Sequence, residues 1–102
     1  MRAMLSHVVI FWTNPAYLGA VDELIAGTNQ LLKDIPGVQR FHVGKMVPSP
    51  RPVVEQSYQV ALNLMFADKK AEQAYQAHPL HLEFVEKYVE RFVIKVVVYD
   101  FE

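Results

Sequence analysis

The last strand-like run of the chain, Phe92 to Phe101 (FVIKVVVYDF), is apolar at nearly every position. Successive side chains of a strand point to opposite faces of a sheet, so such a run presents apolar surface both ways. A sheet that contains it needs cover on both faces. The chain's own helices supply one layer, and the other must come from elsewhere.

The remaining elements follow from periodicity and turn chemistry. Leu5 to Trp12 (LSHVVIFW) is β-branched and aromatic and apolar on both faces, which predicts a central strand. Asn14-Pro15 offers an N-cap and a proline at the first helical position, and from Leu18 through Val21, Leu24, Ile25 and Thr28 to Leu32 one helical stripe is kept. Gly19 and Gly27 each weaken that long helix by about 1 kcal/mol relative to alanine, so packing must hold it until Pro36-Gly37 ends it. Val38 to Lys45 alternates as a second strand, with Phe41 and Val43 on one face and His42 on the other. Pro48, Pro50 and Pro52 bar a regular ladder and predict a stiff, extended connection; a ligand motif for a proline-binding module is the competing reading. Ser57 to Phe66 is the cleanest strand, with Tyr58, Val60, Leu62, Leu64 and Phe66 on one face. Asp68 caps the helix that follows.

That helix leads into Ala74 to Tyr88 (AYQAHPLHLEFVEKY), which holds the one concentration of proton-transfer side chains. Ala71, Tyr75 and His78 share a helical face, while Pro79 disfavours the α conformation at His78 and cannot donate a main-chain hydrogen bond. The helix is therefore predicted to end near His78, and Pro79 to open a second one whose apolar face runs through Leu80, Phe84 and Tyr88. A corner between two short helices aims Tyr75 and His81 into one cleft.

Composition removes several function classes. The 102 residues carry a formal net charge of −1, with 52% hydrophobic and 21% charged residues, so no basic field exists to bind a phosphate backbone and nucleic acid is not an expected partner. There is no cysteine, hence neither a disulfide framework nor a thiol nucleophile. The apolar runs are too short to span a bilayer, and Met1-Arg2-Ala3-Met4 leads into a strand-like run without a cleavage-type segment. One domain spanning residues 1–102, cytoplasmic and without a membrane partner, is the expectation.

The element order is β-α-β-β-α-β, with the second helix broken at Pro79. This is the order of the ferredoxin-like α+β sandwich, two helices on one face of a four-stranded antiparallel sheet. The other face would expose Val8, Ile10 and Trp12 or their alternates, beside one face of Phe92 to Phe101, more than a monomer usually shows. A second copy, sheet facing sheet, is the economical cover, so a homodimer is expected, with Trp12 as an interface anchor.

The order of several short motifs resembles the stress-responsive A/B-barrel (Dabb) family over nearly the whole chain. They are Ser6-His7-Val8-Val9, Ile35-Pro36-Gly37-Val38, Phe41-His42-Val43-Gly44, the Tyr58 strand, Tyr75-x-x-His78-Pro79-x-His81, the most specific of them, and Val98-Tyr99-Asp100-Phe101. The resemblance implies a dimeric α/β barrel with a cavity in each subunit between sheet and helices, and it extends to aromatic polyketide cyclases that work without a cofactor. Carried over residue by residue, it places a catalytic pair on Tyr75 and His81, with His7 and His78 beside the cavity and Ile25, Thr28 and Leu62 in its walls. The cyclase pattern has aromatic residues where this chain has Ile25 and Thr28, and a histidine where it has Val60. No acidic cluster of a magnesium-binding kind is present, and neither a cofactor nor a metal is expected.

The chemistry stands on residue types alone. A histidine is a base near neutrality, and a phenol donates a hydrogen bond to an oxygen on which charge develops. His81 abstracting a proton next to a carbonyl while Tyr75 steadies the enolate-like oxygen is the sharp reading. Beside it stand structural readings: Tyr75 and His81 bonding main-chain groups freed by the proline break, His78 as a helix-terminal cation, His7 as a satisfied core histidine. The charges at Asp68-Lys69-Lys70 and Glu86-Lys87 read as solvated helix faces. Three function classes fit the sequence: a dimeric protein that binds a small hydrophobic or aromatic molecule, a cofactor-free cyclase or isomerase, and, by fold analogy, a haem- or oxygen-dependent monooxygenase.

Overall fold

The computed structural model describes residues 4–102. Residues 1–3, on which part of the expectation about the N-terminus rests, lie outside the described residues. The elements are β1 (Leu5–Thr13), α1 (Ala20–Leu31), β2 (Arg40–Lys45), β3 (Val60–Phe66), α2 (Lys69–Ala77), α3 (Pro79–Phe84), a π-helical turn (Val85–Val89), a last helical turn α4 (Glu90–Phe92) and β4 (Val93–Phe101). All three strand pairings are antiparallel, in the order β2-β3-β1-β4. The ferredoxin-like α+β sandwich read from the sequence is the fold observed, with β1 central as its two-sided apolar pattern requires. Among the described residues no helix is long and apolar enough to cross a membrane.

The core lies between the sheet and the helices. Along β1 every second residue from Leu5 to Thr13 is buried, and in β3 Val60, Leu62, Leu64 and Phe66 are all buried. Leu24 and Leu32 close over them from the α1 side, with Tyr75 from α2 and Phe84 from α3. Removing one such side chain from water is worth about 1.5–3 kcal/mol, enough to hold α1 despite its glycines.

Four local expectations are corrected. Asn14-Pro15 does not start the long helix: the Asn14 side chain instead accepts from the Ala16 N–H at 3.0 Å in a local turn, Leu18 stands fully exposed, and the helix begins at Ala20 after Gly19. Gly19 adopts φ +79°, a left-handed conformation that a side chain disfavours, so it shapes the entry rather than weakening the interior. Gly27 is likewise no mere weakness, because a Cβ there would come within 2.7 Å of the Tyr88 ring; its bareness lets α1 and the π-helical turn approach. Tyr58 leaves the apolar row of β3, which starts at Val60, and its ring stands edge-on to Trp12 at 6.4 Å on the other side of the sheet. The proline-rich stretch forms no ladder, as expected, but rather than running extended it turns at Arg51–Val54 and is tied across itself by the Gln56 amide, which bonds both the N–H and the C=O of Ser49.

The sheet face away from the helices carries Ile10, Trp12, Val97 and Tyr99 around a shallow depression, with the Lys95 ammonium 4.5 Å over the Trp12 ring. Tyr99 and Phe101 are each 60% exposed. The cover demanded by β4 is thus not supplied by this chain.

Candidate functional site

Asp68 accepts from the Ala71 N–H at 2.8 Å and starts α2, as its position in the sequence predicts. One helix later the chain turns. His78 takes an extended conformation (φ −66°, ψ 140°), which the following proline favours, and Pro79 occupies the first turn of α3. The His78 Nδ1 accepts from the Leu80 N–H at 3.1 Å. His78 is helix-terminal, but as a lone-pair cap on the helix that follows, not as a cation on the one that ends. The same corner brings the Tyr75 and His81 rings edge-on, with centroids 4.8 Å apart.

Beneath them lies β1. The His7 ring is 6.1 Å from that of Tyr75, and a cavity of about 180 Å³ opens between sheet and helices with His7, Tyr75, Gln76 and His81 as its polar lining. Its remaining walls are apolar and include Leu62, Phe84, Val85 and Val89. Of the residues singled out in the sequence, Tyr75, His81, His7 and Leu62 therefore converge. Ile25, Thr28 and His78 do not line this cavity: Ile25 packs against the core, the Thr28 hydroxyl is spent on the Ile25 carbonyl at 2.7 Å within α1, and His78 is committed to its cap.

The electrostatics divide the two central groups. Burial raises the Tyr75 pKa far above its ordinary value, and the nearby Glu72 carboxylate adds to the rise; the phenol stays protonated at neutral pH, a donor only to what can accept. Burial also lowers the His81 pKa, against the opposing Gln76 main chain and Glu72. The imidazole is thus held neutral. Among the described residues, His81 Nδ1 is the one buried side-chain polar atom without a hydrogen-bond partner.

His7 is bound quite differently. Its Nδ1 pairs with Asp100 Oδ1, a contact delivered by the β1/β4 register that sets His7 opposite Asp100. Its Nε2 lies 3.4 Å from the Gln76 amide nitrogen, which also donates to Glu72 Oε2 at 2.8 Å. Glu72 is buried and holds Lys69 at 2.7 Å, and Lys69 reaches back to Asp100 at 3.7 Å. Sequence reading missed Glu72, Gln76 and Asp100. The i, i+4 spacing of Glu72 and Gln76 was a visible signal, whereas nothing local marks Glu72 as buried or Asp100 as the partner of a residue at the other end of the chain. Lys69 is correspondingly more than part of a solvated face. Among the described residues no group of three or more acidic or histidine side chains is placed to hold a metal ion.

The comparisons with known proteins agree with this architecture. The model of the Stress responsive A/B Barrel Domain matches residues 5–102. A stress-response A/B barrel domain-containing protein of Arabidopsis thaliana is 31% identical over 81 residues, covering 79% of this chain and 71% of its own length. A dimeric ferredoxin-like protein of unknown function from Jannaschia sp. CCS1 has a TM-score of 0.75 at 26% identity, covering 98% of this chain and 99% of its own. The hydroxynitrile lyase of Passiflora edulis, at 19% identity, shares the fold with a TM-score of 0.78 over 99% of this chain and 94% of its own. The order of motifs, the sheet topology and the match over residues 5–102 lead to one assignment: the chain belongs to the stress-responsive A/B-barrel (Dabb) family.

Proposed function

We propose that the chain works as a homodimer whose subunits each bind a small, largely apolar organic molecule in the cavity between sheet and helices, and that Tyr75 and His81 act there as a cofactor-free acid–base pair on a carbonyl group. The observation that carries this reading is the juxtaposition of a protonated phenol with a neutral imidazole whose Nδ1 has no partner, in one apolar cavity. A purely structural pair would have its polar atoms satisfied. His81 takes the proton from the carbon next to the carbonyl, the C–H electron pair forms the enolate, and the Tyr75 hydroxyl donates to the enolate oxygen. The imidazolium then returns a proton to that carbon, or the enolate carbon closes onto a second carbonyl, whose π pair moves to its oxygen and takes up the imidazolium proton. That a hydroxynitrile lyase has the same fold supports the fold as a host for catalysis, and the dimeric relative together with the exposed sheet face supports the dimer.

Acetophenone dissolved in D2O tests the pair without knowledge of the natural ligand. Wild-type protein is expected to accelerate deuterium incorporation at the methyl group, read by proton NMR. His81→Ala should lower that acceleration by about 10²–10⁴-fold, the usual contribution of a positioned base, and Tyr75→Phe by about 10²–10³-fold, as for loss of one oxyanion donor. Equal exchange in wild type and both variants refutes the assignment.

A further inference from the structure

His7 and four further side chains, Asp100, Lys69, Glu72 and Gln76, form a circuit of contacts that favours one arrangement of protons. Glu72 and Asp100 are carboxylates and accept; the Lys69 ammonium donates to Glu72 and lies 3.7 Å from Asp100 as an ion pair. The Gln76 nitrogen must face Glu72 Oε2, because the flipped amide would set its carbonyl oxygen against a carboxylate oxygen. That same nitrogen then presents its second hydrogen to His7 Nε2, which must be a lone pair. The proton of His7 is left on Nδ1, facing Asp100. An imidazolium would put N–H against N–H at Gln76.

We propose that Glu72 and Asp100 are positioning residues that hold His7 as the neutral Nδ1–H tautomer, making its Nε2 the acceptor for the hydroxyl group of a phenol or enol bound in the cavity. This deepens the cavity reading above and rests on it. Three features support it. The Gln76 contact at 3.4 Å exceeds the ordinary range of N–H hydrogen bonds, so a ligand hydroxyl replaces it with a better one. A buried carboxylate such as Glu72 is costly unless it is paired and hydrogen-bonded, yet it neither lines the cavity nor caps a helix; orienting the Gln76 amide gives it a role. His7 and His81 both stand edge-on to the Tyr75 ring in the lining of one cavity, so a hydroxyl at His7 and a carbonyl oxygen at Tyr75 define hydroxy-carbonyl compounds as the ligand class.

Long-range proton–nitrogen correlation NMR at pH 7.5 tests both halves. In the wild type, the His7 Nδ1 signal is expected in the protonated range and Nε2 in the unprotonated range. Asp100→Ala and Glu72→Leu, each removing one hold, should move both signals toward the averaged values of exchanging tautomers. Addition of p-cresol should shift Nε2 toward the hydrogen-bonded range, whereas 4-methylanisole, which lacks the hydroxyl, should not. A wild-type imidazolium, a wild-type Nε2–H tautomer, or signals unmoved in both variants overturns the positioning role. If p-cresol shifts the His81 and Val89 resonances but leaves His7 Nε2 in place, the acceptor role falls while the cavity reading survives. If p-cresol moves no cavity resonance, the binding reading falls and takes the acceptor role with it, and the tautomer data still decide the positioning.

Discussion

In β3, Val60, Leu62, Leu64 and Phe66 are buried under the helices while Asn63 between them faces outward. In β4, the more uniformly apolar strand, Ile94, Val96, Val98, Tyr99 and Phe101 are each at least 42% exposed. The two strands belong to one sheet and differ in place: β3 lies inside it and β4 at its edge. Burial here follows from position in the layer rather than from composition, and the surplus of apolar surface on β4 marks where the fold is incomplete as a monomer.

The contrast can be broken at either strand. The largest expected effect is on the covered side: Leu64→Ala should destabilise the protein by about 2–5 kcal/mol, the range for emptying a packed leucine site, measured as a shift of the urea midpoint. On the uncovered side, Val97→Asp should leave the fold intact and weaken the proposed dimer about 100-fold, near 3 kcal/mol, seen in sedimentation as half-mass particles. A Val97→Asp protein that unfolds instead, or that sediments like the wild type, would place the interface elsewhere. Gly27→Ala probes how tightly α1 is pressed to the π-helical turn. Helix propensity favours the change by about 1 kcal/mol, but crowding against Tyr88 costs about 1–3 kcal/mol. A net loss is expected, recovered in the Gly27→Ala/Tyr88→Leu double variant.

The smallest effect is titrational. Because burial lowers the folded-state pKa of His81, the unfolded chain binds its proton first as pH falls. The stability that this group contributes is complete above pH about 6.5, the unperturbed histidine value, and is lost as pH drops below that through the lower folded-state pKa. Urea midpoints between pH 7.5 and 5 should therefore fall less steeply in His81→Leu than in the wild type. An unchanged slope would show that another group carries the acid sensitivity.

What the sequence disclosed was local. Asp68 as a cap, the break before Pro79, the alternation from Val60 to Phe66 and the meeting of Tyr75 with His81 depend on near neighbours and periodicity, and each appears in the structure. What it withheld was set by contacts between distant segments. Gly27 looked like a flaw because Tyr88, which needs the space, lies five elements further on, after the sheet has turned back. Asn14-Pro15 looked like a helix start because the competing Asx turn uses the same residue types. Asp100 is silent until β4 is laid against β1 in register, and Ile25 and Thr28 fell outside the cavity because α1 presents those positions to its own carbonyls and to the core.

The π-helical turn Val85–Val89 places both of its valines in the cavity wall. A π turn is an α-helix with one residue too many, so the excess is removable. Deleting a single residue there would restore the 3.6-residue repeat within the turn while the flanking elements keep their places, withdrawing one valine from the wall and lifting Tyr88 off Gly27. In this fold the shape of the chamber is thus encoded partly in chain length, and an insertion or deletion of one residue can re-tailor the chamber while Tyr75, His81 and His7 stay where they are.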